Sequence, residues 1–123
     1  MSENINDLEE KFILAKDFYN KGFYNQAKEL FIELTTKDPL KEEFWFSLAA
    51  TYQMQKEYLL ASSSYLRALI LKPHDAKIYF HIAECMLSLD EKQNALSMLE
   101  MAYSYCNDLA FKEKIALLIN QNK

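Results

Sequence analysis

Alanine returns every 34 residues along this chain, at Ala15, Ala49 and Ala83 and again at Ala27, Ala61 and Ala95. Phe12, Phe46 and Phe80 keep the same spacing, as do the only two prolines, Pro39 and Pro73. Self-similarity at a fixed period of this size marks stacked units, none of which can bury its apolar face alone. Proline cannot continue a helix interior, so its return once per period punctuates the units. Half of the residues are apolar and there is a single glycine, which leaves little material for loops or for a second domain.

Set against the helix-turn-helix pattern of the tetratricopeptide repeat, the chain resembles that family from Leu8 to Leu109. Residues 8–41 supply Leu14, Ala15, Phe18, Ala27, Phe31, Leu34 and Pro39. Residues 42–75 are the most faithful, with Trp45, Leu48, Ala49, Tyr52, Ala61, Tyr65, Ala68 and Pro73. Residues 76–109 give Tyr79, Ile82, Ala83, Met86, Ala95, Leu99 and Ala102, with Asn107 in the place of proline. Lys11 departs from the large apolar residue usual at its position, as terminal repeats often do. The resemblance implies an all-α solenoid of three repeats after a polar lead-in at 1–7. Residues 110–123 would form a capping helix and tail over the last interface. Helices are expected at roughly 7–21, 24–37, 41–55, 58–71, 75–89, 92–105 and 109–120, to within about two to four residues. Phe111, Ile115 and Leu118 share one face of the last of these. Gly22, Lys56 and Asp90 hold matching turn positions, of which only Gly22 accepts positive φ without strain.

In such a solenoid the first helix of each pair lines the concave face. The groove would then carry Phe12, Lys16 and Tyr19 from the first repeat, Phe46, Ala50, Gln53 and Met54 from the second, and Phe80, Glu84 and Leu87 from the third. Phe12, Phe46 and Phe80 would form an aromatic ladder along its floor, suited with Met54 to holding an apolar segment. The same spacing also fits residues packed inside the repeats, because sequence defines helix rotation only to about a residue. Tetratricopeptide domains that grip a C-terminal carboxylate use Lys and Asn at two of these positions. Here Phe stands at the first position throughout, and Lys16, Ala50 and Glu84 at the second. A carboxylate would lose water in this groove without gaining a matched set of donors.

Phe80-His81-Ile82-Ala83-Glu84-Cys85, followed by Leu87, resembles the corresponding helix of the class II chaperones of bacterial type III secretion. Leu14 through Leu34 and Phe46 through Ala68 are similar to the first two repeats of that family. This likeness implies a non-enzymatic chaperone that binds an apolar segment of a hydrophobic translocator and keeps it export-competent in the bacterial cytoplasm. Family members usually carry a longer helical segment before the first repeat, used in dimerisation, whereas seven residues precede it here. A homodimer by that route is therefore open. The short chain is also similar to the small chaperones of needle subunits, which work beside a second chaperone. A general adaptor for folded proteins is the third reading, although charged tails would call for Asn, Lys and Arg where Phe stands.

Other chemistry finds little support. The net charge of −4 lacks the clustered basic surface that nucleic acid requires. No apolar run of membrane length occurs, so stable membrane insertion is not expected, and no signal-peptide pattern precedes Leu8. His74 and His81 lack neighbours at ligand spacing, so no metal is expected. His81 reads first as a helix-packing residue, with the orienting of a bound backbone as its alternative role. Cys85 and Cys106 read as reduced packing residues. With one glycine there is no phosphate-cradling loop, and no cofactor is implied.

Overall fold

The computed structural model describes residues 5–123, Ile5 by its backbone alone. Seven α-helices follow in order: α1 (Ile5–Asn20), α2 (Tyr24–Lys37), α3 (Glu42–Met54), α4 (Tyr58–Leu71), α5 (Ala76–Ser88), α6 (Lys92–Tyr105) and α7 (Leu109–Gln121). Each helix packs on its neighbours in sequence, giving three antiparallel pairs stacked side by side with α7 against α6. Every boundary lies within two residues of the expected one. Helix α1 begins at Ile5, so part of the expected polar lead-in is helical; residues 1–4 lie outside the described residues.

The small residues do what their period implied. Ala15, Ala27, Ala49, Ala61, Ala83 and Ala95 are all fully buried, at the crossings where paired helices come closest. Larger side chains fill the spaces between them. Phe31, Leu34 and Phe44 pack around the first pair. Tyr65, Ile78, Ile82 and Cys85 join the second pair to the third. Leu99, Cys106 and Ile115 close the far end. On α7 Ile115 is buried, with Phe111 and Leu118 packed on the same cluster.

The turns repeat as strictly as the helices. Gly22, Lys56 and Asp90 all adopt left-handed backbone, with φ of 82°, 63° and 60°. After each, an N–H reaches back six residues inclusive: Phe23 to Phe18 O, Glu57 to Tyr52 O and Glu91 to Met86 O, at 2.9, 2.9 and 2.8 Å. These bonds satisfy the last carbonyls of α1, α3 and α5, as in a Schellman cap. Lys56 and Asp90 adopt the geometry at the steric cost that Gly22 avoids.

The link between pairs is also periodic. Trp45 Nε1 donates to Pro39 O at 2.8 Å, and Tyr79 OH donates to Pro73 O at 3.0 Å. An aromatic donor on each incoming helix thus satisfies the carbonyl of the proline that ended the previous pair. Lys11, at the equivalent place in the first repeat, makes an ion pair of 2.8 Å with Glu33.

Candidate functional site

The first helices α1, α3 and α5 stand side by side, and their shared face encloses a cavity of about 660 Å³. Seven expected groove residues line it: Tyr19, Phe46, Ala50, Gln53, Met54, Glu84 and Leu87. Two smaller hollows of about 340 and 270 Å³ adjoin it, and Lys16 lines both. Phe46 lines all three spaces and is the centre of the surface.

The continuous aromatic ladder is not present. Phe12 is only 9% exposed, held edge-on by Phe44 at 5.0 Å and Phe31 at 6.1 Å, with Lys16 Nζ 4.3 Å above its ring. Phe80 is 4% exposed, covered by Phe111 at 5.2 Å and by Lys114 Nζ at 5.3 Å. The cause lies in how the repeats stack. A residue at this position meets the first helix of the next unit, so Phe44 from α3 covers Phe12 and Phe111 from α7 covers Phe80. Phe46 meets the smaller ring of His81 at 5.5 Å and stays half-buried. Phe80 is a core residue in this structure, Phe12 is nearly buried but borders the hollow of about 340 Å³, and Phe46 is the ladder position left half-buried.

Beneath Phe46 lies a polar chain drawn from three helices. Tyr65 OH on α4 donates to Gln53 Oε1 on α3 at 2.7 Å. Gln53 Nε2 in turn donates to Glu84 Oε1 on α5 at 3.2 Å. His81 Nδ1, 2.7 Å from the same Oε1, must be the donor there, because an ionised carboxylate can only accept. The His81 ring stacks on Tyr65 at 5.5 Å and 11°. Burial alone would raise the Glu84 carboxyl. The hydrogen bonds from His81 and Gln53, with the charges of His81 and Lys114, outweigh it and hold Glu84 below the ordinary value. Burial first, then the Cys85 and Glu84 charges, pushes the Tyr65 hydroxyl far up, so it stays a neutral donor.

His81 and Tyr65 both line the cavity; the sequence offered Tyr65 as a repeat-pattern position and His81 as a packing residue or one that orients a bound backbone. The spacing His81–Glu84, three residues along one helix, was the available signal for half of this pair. Nothing in the sequence joins either residue to Gln53 or Tyr65. Burial pushes the Cys85 thiol up to about 11, and both cysteines are buried and free. Among the described residues no group of three His, Cys, Asp or Glu side chains could hold a metal.

A tetratricopeptide-repeat model matches residues 8–38 and 43–61. Low calcium response locus protein H of Yersinia pestis is 34% identical over 107 residues, which cover 86% of this chain and 64% of that protein. The chain thus spans just under two thirds of that relative's length. The type III secretion chaperone SycD of Yersinia enterocolitica, solved in complex with a peptide of the translocator YopD, superposes with a TM-score of 0.90 at 29% identity. That match covers 96% of this chain and 93% of SycD. In sequence and fold the chain is similar to the tetratricopeptide-repeat chaperones of type III secretion. Its architecture recurs in PcrH, solved with the chaperone binding region of PopD, at a TM-score of 0.92 over 97% of this chain and 92% of PcrH. At 22% identity that likeness concerns the fold. The open face around Phe46 carries aromatic, thioether, amide and aliphatic side chains from α1, α3, α4, α5 and α7.

Proposed function

We propose that the protein is a cytoplasmic bacterial chaperone of type III secretion, which holds an apolar segment of a translocator in its concave groove before export. The observation that carries this reading is the apolar cavity around Phe46, in a chain whose fold matches a chaperone solved with a translocator peptide. Holding of this kind needs no chemical step. Apolar client side chains leave water against Phe46, Tyr19, Met54 and Leu87, at about 25 cal/mol per Å² before the ordering of the segment is subtracted. The client's exposed apolar surface is thereby withheld from self-association. No described helix is long and apolar enough to cross a membrane.

Co-expression with a hydrophobic translocator of type III secretion, followed by affinity purification, tests the proposal. The two proteins are expected to co-purify as a stoichiometric complex, and omission of the chaperone is expected to leave the translocator insoluble. A translocator that stays soluble alone and never co-purifies would sink the proposal. Preferential capture of a needle subunit would replace the client class.

A further inference from the structure

Among the described residues that line the groove cavity, Glu84 is the only carboxylate, and no lysine or arginine joins it there. Both of its intramolecular hydrogen bonds fall on one oxygen, Oε1, from Gln53 and His81. Among the described residues no side chain reaches Oε2 within hydrogen-bond distance. The carboxylate is half-buried, with its side chain 37% exposed. Two neighbours along the chain and across the groove floor thus orient it, while one oxygen remains for solvent. Lys114 on α7, whose charge acts on Glu84, sits over the Phe80 ring and makes no ion pair with that carboxylate.

An apolar segment laid over Phe46 would strip the water from Oε2. An ionised carboxylate left without a donor in such a place is costly, and a cation is the partner that offsets the loss most fully. His81 donates to Oε1 whether its ring is neutral, with the proton on Nδ1, or fully protonated. It therefore leaves Oε2 unmatched in either state. We propose that the groove selects, among extended apolar segments, those carrying a lysine or arginine whose side chain reaches Glu84 Oε2. This rests on the client-holding role proposed above and adds the chemistry by which one apolar segment is told from another. Glu84 then acts as the specificity-determining residue, with Gln53 and His81 as its positioning residues.

Three short peptides of Leu, Val and Pro, acetylated and amidated, test the inference. They differ at one central residue, which is Lys, norleucine or Glu, and binding is followed by calorimetry with the full chain. The lysine peptide is expected to bind about three- to tenfold tighter than the norleucine peptide, and the glutamate peptide weakest. The lysine preference is expected to shrink at high ionic strength and to collapse towards unity in Glu84→Gln, which retains an oxygen for Gln53 and His81. Equal binding of the lysine and norleucine peptides by the wild type would overturn the inference and leave the groove reading intact. A lysine preference that persists in Glu84→Gln would also overturn it. Binding of none of the peptides, by a chain that also fails to co-purify a translocator, would overturn both.

Discussion

Replacing Phe46 by alanine separates the groove from the core more cleanly than any other change. A fully buried phenylalanine costs about 3–5 kcal/mol on truncation. Phe46 is half-buried and rests edge-on against Tyr65 at 5.4 Å and His81 at 5.5 Å. About half of the full cost, roughly 1.5–2.5 kcal/mol of fold stability, is therefore expected. A domain of this size is ordinarily stable by about 5–15 kcal/mol, so the variant remains folded. Binding is hit separately, because Phe46 borders the cavity and both adjoining hollows. Loss of a central interface aromatic costs about 2 kcal/mol or more, close to thirtyfold in Kd. The assay pairs urea unfolding with calorimetry of the lysine peptide, both on Phe46→Ala and on Phe80→Ala. Phe80, at 4% exposure under Phe111, is expected to lose about 3–5 kcal/mol of stability while the folded fraction keeps most of its affinity. Should Phe46→Ala lose stability like a core residue and still bind the peptide within twofold, the groove assignment would be refuted.

Ala49→Leu should cost roughly 1–3 kcal/mol by overpacking a site with no exposed surface, and a melting temperature equal to wild type would contradict the close helix crossing. Lys56→Gly relieves a left-handed residue at φ 63° and should gain up to about 1 kcal/mol in urea unfolding; a loss of stability would show that the turn carries no strain. Glu84 has a carboxyl pKa below its ordinary value, so its contribution to stability is present above the unfolded pKa and is lost as pH falls through the folded one. The stability difference between wild type and Glu84→Gln should therefore be largest near neutral pH and shrink below about pH 4, and a difference independent of pH would contradict the network.

The period of 34 residues was enough to determine the solenoid, because its constraints are local and repeated. Alanine at the crossings is demanded by backbone approach, and proline by the end of each pair. A residue after the first helix of each pair must turn left-handed whether it is Gly22, Lys56 or Asp90. Each of these can be read from one unit and checked against the next. The family resemblance was legible for the same reason, since Phe80 through Leu87 lie on a single helix.

What the sequence could not determine was which side of the aromatic row faces the groove. Phe12, Phe46 and Phe80 are equivalent in spacing, yet two are buried and one is open. Their exposure depends on the residue that the next unit presents: Phe44, His81 or Phe111. A helix turns about 100° per residue, so a small error in rotation exchanges floor for core, and only the docked neighbour resolves it. The polar chain Tyr65–Gln53–Glu84–His81 was hidden for a related reason. Its partners come from α4, α3 and α5, with Gln53 and Glu84 31 residues apart, and no period of the sequence links them. Local repetition wrote the scaffold, and the stacking of unequal side chains from one repeat to the next decided the site.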